Sequence, residues 1–227
     1  GSARPVPHLV AENGSIKFRL PVQYEGYPHD LEFEGVLDGG RIVGTAKVWE
    51  DGVRWTAVPA PGFARETEPQ PEPTIDLLSG GLERWKARSP SMENHWSCSE
   101  GAFVNKATGT DIVSVDRFLD FVLEAEYSYP SGSNSGIYLR GRYEFQILDD
   151  FGKEPGVGSS GAIYGFAVPT SQAIRPATER NTAVIRLVGR TVTVDLNDVR
   201  IHDAVEIPGI TGGALDSAEG EPGPILL

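Results

Sequence analysis

Apolar and polar residues alternate over much of this 227-residue chain, with the period of two expected of half-buried β-strands. Ile16-Lys17-Phe18-Arg19-Leu20 alternates, and so does Leu31-Glu32-Phe33-Glu34-Gly35-Val36-Leu37. Asp38-Gly39-Gly40 returns the chain into Arg41 to Trp49, because glycine takes positive φ freely, and Glu50-Asp51-Gly52 leads into Val53 to Ala57. Residues 9–59 therefore predict an antiparallel β meander of about four strands, too few to cover both faces alone. The piece is expected to pack on the rest of the chain or on a second copy, as a homo-oligomer. Pro59 to Pro73, PAPGFARETEPQPEP, is rich in Pro and Glu and reads as an extended linker. It divides residues 1–58 from residues 74–227.

The second part continues in short strands. Ile75 to Leu78, Trp96 to Val104 with a turn or bulge at Glu100-Gly101, Ile112 to Ser114 and Phe118 to Tyr129 come first. Gly161 to Gly165 follows a polar, glycine-rich loop, Asp150 to Ser160, of the kind that borders a site. Thr182 to Leu187, Thr191 to Leu196 and Val199 to His202 form a meander turning at Gly189-Arg190 and Asn197-Asp198, and Gly223 to Leu227 ends as a strand. No helical period competes. The class is all-β, a two-sheet sandwich or jelly roll.

One hairpin carries the candidate chemistry. Ile137-Tyr138-Leu139-Arg140 and Tyr143-Glu144-Phe145-Gln146-Ile147 alternate about a turn at Gly141. By parity Ile137, Leu139, Tyr143, Phe145 and Ile147 face the core, leaving Tyr138, Arg140, Glu144 and Gln146 on the opposite face. An Arg, a carboxylate and an amide in so small an area suit a sugar-binding surface; the alternative is a solvated face with a cross-strand ion pair worth roughly 0.2–1 kcal/mol. Glu124 and Glu126 either line the same groove or face water. Trp85 and Trp96 read as core residues rather than sugar platforms.

Composition narrows the field. A net charge of −12 without a basic cluster argues against a nucleic-acid partner. No stretch is long and apolar enough for a membrane span. Cys98 is the sole cysteine, so no intrachain disulfide forms, and it reads as a small buried apolar residue. His8, His29, His95 and His202 lie in different elements without metal-ligand spacing, and no nucleophile elbow or phosphate-binding loop is present. Carboxylates remain as the acid/base candidates.

SNSGIYLRGRYEFQILD at 133–149, GAIYG at 161–165, IPGITGGALD at 207–216 and EPGPI at 221–225 stand in the order in which they occur in the 3-keto-disaccharide hydrolase domain family, once a domain of unknown function, and residues 74–227 resemble it. The N-terminal piece resembles the later half of a small lipocalin-like barrel. The family resemblance implies a concanavalin-A-like jelly roll with a small-molecule carbohydrate on its concave face, in a periplasmic or secreted protein whose export signal lies outside this sequence. It also implies a substrate with a ketone at C3 of one ring, which acidifies the C2 proton. Removal of that proton, elimination of the C1 oxygen and addition of water give net hydrolysis without the oxocarbenium route of ordinary glycosidases. Such chemistry needs a base, an enolate stabiliser and an acid, roles that Glu144, Arg140 and Tyr164 fit in that order. Gln146, Tyr138, Arg142 and Asp149 are the substrate-binding candidates. The sequence fixes no cofactor, and a divalent metal ion could replace the arginine as enolate stabiliser. A non-catalytic carbohydrate-binding module of the same fold is the alternative function. The family pattern continues with a Gln-Gly-Asp-His-Gly segment beyond the position of Leu227, and carries a Gly-Glu-Trp-like segment where this chain has Ala177-Thr178-Glu179-Arg180.

Overall fold

The computed structural model describes residues 6, 8–20, 29–47, 52–63 and 65–227. Its strands are β1 (Val10–Glu12), β2 (Ser15–Leu20), β3 (Leu31–Asp38), β4 (Arg41–Lys47), β5 (Gly52–Ala57), β6 (Trp85–Ala87), β7 (Trp96–Ser99), β8 (Ala102–Asn105), β9 (Ile112–Ser114), β10 (Phe121–Tyr127), β11 (Asn134–Leu139), β12 (Tyr143–Leu148), β13 (Asn181–Val188), β14 (Thr191–Leu196) and β15 (Val199–Glu206). The described residues contain one 3-10 turn, Gly81–Arg84, and no α-helix, hence none long and apolar enough to cross a membrane. The chain divides into two compact units, Ala3–Gly62 and Phe63–Leu227.

The first unit is an antiparallel meander in the order β1-β2-β3-β4-β5. It has one strand more than the alternation suggests, because Asn13 and Gly14, both with positive φ, turn the short β1 directly into β2. Register puts Phe18 opposite Phe33, Ala46 opposite Phe33 and Trp55 opposite Gly44, all on one apolar face. Phe18 and Phe33 stack at 4.7 Å, with Trp55 edge-on to both. Gly35 is required beneath the indole, since a Cβ there would lie 2.9 Å from Trp55 Cζ2. Trp49 and Glu50-Asp51, expected to end β4 and turn the chain, fall outside the described residues.

The second unit is a two-sheet jelly roll. One sheet runs β10-β13-β14-β15. The other is assembled from distant pieces. The C-terminal residues lie between β9 and β11: Ile112 and Leu227 exchange backbone hydrogen bonds at 3.0 and 2.9 Å, and Tyr138 and Leu226 do so at 2.9 and 3.2 Å. Beyond β12, the Gly161 N–H donates to Gln146 O (2.9 Å) and the Tyr164 N–H to Glu144 O (3.0 Å). Between the sheets, Ile112, Leu139, Phe145, Ile185, Leu187, Val194 and Leu196 close a core that excludes water. Trp85 is buried in it, and Trp96 packs against it half-buried, each indole N–H satisfied by a carbonyl, of Leu77 and Thr110 respectively.

Four local expectations need correcting. Ile75 to Leu78 is a turn rather than a strand, because the Asp76 carboxylate accepts the Leu78 N–H and so satisfies locally what a ladder would. Trp96 to Val104 is a hairpin, β7–β8, folded at Glu100 and Gly101, both left-handed. Cys98 is exposed on that hairpin instead of buried. Gly161 to Gly165 pairs through the single bridge residue Ile163 and otherwise turns. The proline-rich stretch has no regular structure, and from Phe63 onward it is fastened to the second unit: Arg65 forms a bidentate pair with Asp120 at 2.6 and 3.0 Å, and the Arg190 guanidinium lies 4.3 Å above the Phe63 ring.

Candidate active site

The face of the β11–β12 hairpin turned away from the core carries the polar cluster. Register sets Tyr138 opposite Glu144 and Gly136 opposite Gln146, so these four share one face by pleat alone. Tyr138 Oη stands 2.9 Å from Glu144 Oε2 and 2.7 Å from the Gly212 carbonyl oxygen. Glu144 Oε1 has no protein partner among the described residues and lies above Gly136, where a Cβ would come within 2.7 Å of it. The half-buried position pushes the Glu144 carboxyl up from its ordinary value; the Tyr138 hydroxyl pulls it back and the Asp111 carboxylate adds to the rise. Burial and the Glu144 carboxylate likewise hold the Tyr138 phenol well above the ordinary range.

A strap, residues 207–216, crosses this face. The Glu144 N–H donates to Thr211 Oγ1 at 3.0 Å, and the Thr211 N–H and hydroxyl both donate to Arg142 O. Arg88, just past β6, donates to Asp111 Oδ2 (2.9 Å) and to the Gly213 carbonyl (2.9 Å), tying the strap to the approach to β9. Tyr164 is exposed, its ring edge 3.9 Å from where a Gly212 Cβ would sit. Gln146 is buried beneath the 156–160 loop; its Nε2 donates to Gly158 O at 3.4 Å, and its Oε1 has no partner.

Three candidates belong elsewhere. Arg140 is not on the strand face. It is the first residue of the turn, left-handed at φ 53° with Gly141 at 66°, and the Arg142 N–H closes the turn onto Leu139 O. Parity lapses where the strand ends, and the Arg140 guanidinium is fully buried, donating to Gly189 O (2.6 Å) and Tyr143 Oη (3.1 Å). It therefore does not reach Glu144 as an enolate stabiliser. Arg142 is fully buried too, bonded to Asp216 Oδ1 (2.6 Å) and Glu221 O (2.8 Å), and pins the strap rather than a ligand. Asp149 accepts from the Gly132 N–H (2.8 Å) and Ser131 Oγ (3.2 Å), closing the turn before β11. His202 is buried and held neutral by burial, with a ring nitrogen 2.7 Å from Gly161 O.

The alternation could not reveal Arg88 and Asp111, which arrive from distant segments; Thr211, Gly212 and Gly213 lie within the 207–216 motif, which is where the sequence carries a signal for the strap. Among the described residues no group of three or more His, Cys, Asp or Glu comes together as a metal ligand set. Two shallow depressions elsewhere, one lined by Ala11, Asn13, Leu37 and Ile42 and one by Phe63, Arg190, Thr191 and Glu206, hold no comparable constellation.

Residues 73–227 match the family described as the 3-keto-alpha-glucoside-1,2-lyase-like domain. The chain belongs to that family. Among solved structures, the lyase-like domain is similar to a candidate glycosyl hydrolase from Parabacteroides distasonis, at 27% identity and TM-score 0.55, over 71% of this chain and 86% of that one. Another candidate glycosyl hydrolase from the same organism is 17% identical with TM-score 0.49, over 63% of this chain and 80% of that one. No curated protein matches the chain.

Gly136 offers a direct test of the geometry. Gly136→Ala forces the Glu144 carboxyl to move, since the new methyl would lie 2.7 Å from Oε1 and 2.9 Å from Cγ. Any turnover that uses this carboxyl should fall by up to about 100-fold from its misplacement, while the melt shows a loss of about 1–3 kcal/mol from overpacking. Steady-state rates and thermal melts on the same preparation separate the two effects.

Proposed function

We propose that the lyase-like domain cleaves 3-keto-glycosides, with Glu144 as the proton-transfer group. The observation that carries this reading is the Glu144–Tyr138 pair, half-buried on the open face of the sheet, with one carboxyl oxygen held and the other free above Gly136. The C3 ketone of the substrate makes the C2 proton removable. Glu144 Oε1 takes that proton, and the enolate re-forms the ketone as a C1–C2 double bond forms and the C1–O bond breaks. The departing oxygen takes the proton from Glu144, and water then adds with its hydroxyl at C1 and a proton at C2. A half-buried carboxyl with a raised proton affinity suits transfer near neutral pH. The exposed Tyr164, whose ring lies beside Gly212 of the strap, is the candidate donor to the developing enolate.

The test is to incubate the protein in D₂O with a 3-keto-disaccharide and, separately, with the parent disaccharide. Cleavage of the ketone alone, with deuterium at C2 of the released sugar, is expected. Equal cleavage of both compounds would point to an ordinary glycosidase, and binding of either without cleavage would point to a carbohydrate-binding module.

A further inference from the structure

Tyr164 is fixed at its backbone and along both edges of its ring. Its N–H donates to Glu144 O at 3.0 Å, and the next N–H, that of Gly165 at φ 77°, donates to Val157 O at 2.8 Å. On one edge of the ring, Cε1 lies 3.9 Å from where a Gly212 Cβ would sit; on the other, Cε2 lies 3.7 Å from where a Gly158 Cβ would sit. The strap thus closes one edge and the 156–160 loop closes the other. That loop is itself set, by the Gly156 N–H on Ser159 Oγ at 2.8 Å and by Gln146 Nε2 on Gly158 O. Tyr164 is nonetheless 41% exposed. With both edges covered, what stays open is a face of the ring and the hydroxyl.

We infer that the Tyr164 ring is a stacking platform for the second ring of the substrate, the one joined to the 3-keto-glycosyl unit through the bond that breaks. A pyranose presents axial C–H groups on its faces, and such a face packs on the electron-rich face of an aromatic ring. Position decides which ring it takes. β12 lies between β11 and the 161–165 segment, since it pairs with β11 on one side and Phe145 bridges to Ile163 on the other. The Glu144 carboxyl leans toward β11, with Oε1 above Gly136. Tyr164 stands on the opposite side of it, two strand spacings or roughly 10 Å from β11, a span that two linked pyranose rings match. With the keto ring over Gly136 and its C1–C2 bond beside Oε1, the ring across the glycosidic oxygen lies against Tyr164. This assignment to the leaving ring rests on the cleavage reading; the platform itself does not.

A ring already held in place has little freedom left to lose when a ligand arrives, so its contact area is converted efficiently into affinity. Tyr164 is then a specificity-determining residue. It favours glycosides whose leaving group is itself a ring, a second sugar or an aryl group, over those with a short alkyl group. The ring contact is separable from any donation by the hydroxyl, because Tyr164→Phe keeps the first and removes the second.

Binding is measured by calorimetry in the Glu144→Gln protein, so that cleavage does not consume the ligand. The probes are a 3-keto-disaccharide and the methyl 3-keto-glycoside of the same sugar and anomeric configuration. The disaccharide should bind about 10-fold more tightly than the methyl compound. Adding Tyr164→Phe should keep that ratio. Adding Tyr164→Ala should bring it close to one, while the thermal melt stays where it was, because the side chain is exposed. A ratio near one at the outset, or one that survives Tyr164→Ala, overturns the platform. A ratio abolished by Tyr164→Phe overturns it too, since the hydroxyl and not the ring would then carry the contact. No turnover is read, so failure of the cleavage reading in the D₂O experiment remains distinct from failure of this one.

Discussion

Glu144→Gln should lower turnover of a 3-keto-disaccharide by about 10²–10⁴-fold, the usual contribution of a positioned acid or base, while the protein stays folded. The side chain keeps its shape, and an amide still bonds Tyr138 Oη, so the hydrogen-bond chain to Gly212 O survives. What is lost is a group that can take a proton and give it back. The effect should therefore fall on kcat, with KM nearly unchanged, and steady-state rates beside a thermal melt at pH 6 measure it. Full activity in the variant would remove Glu144 from the chemistry. A collapse of the melt would make the carboxyl a structural group.

The strands were legible because one face of each is buried and the period is two. That same rule placed Tyr138, Glu144 and Gln146 together, and the ladder agrees residue by residue. It failed at Arg140 for a local reason: parity holds only while the backbone stays extended, and Arg140 is where the chain leaves that region. Alternation also says nothing about what lies across from a face. The 207–216 strap, the Arg88–Asp111 pair and the insertion of the C-terminal residues between β9 and β11 are contacts between segments far apart in sequence. Thr211 and Gly212 contact Glu144 and Tyr138 through a backbone atom or a hydroxyl, which no hydropathy pattern registers.

Arg140 separates a catalytic from a structural arginine most sharply. Its guanidinium donates to Gly189 O and Tyr143 Oη at 2.6 and 3.1 Å and reaches Leu119 O at 3.4 Å, and Tyr143 in turn donates to Glu219 Oε1 at 2.8 Å. Arg140→Leu strands the buried Gly189 carbonyl and breaks the link from β12 to the β13–β14 turn. Each buried polar group left unpaired costs about 1–3 kcal/mol, so a total near 3–5 kcal/mol is expected, comparable with breaking a buried ionic contact. Arg140→Lys should recover only part of this, because a point charge cannot span the same fork of acceptors. Denaturant melts give the stability, and rates normalised to the folded fraction give the chemistry. The folded fraction of Arg140→Leu should retain most of its turnover. A variant as stable as the wild type but inactive would return the guanidinium to the reacting sugar and contradict its burial.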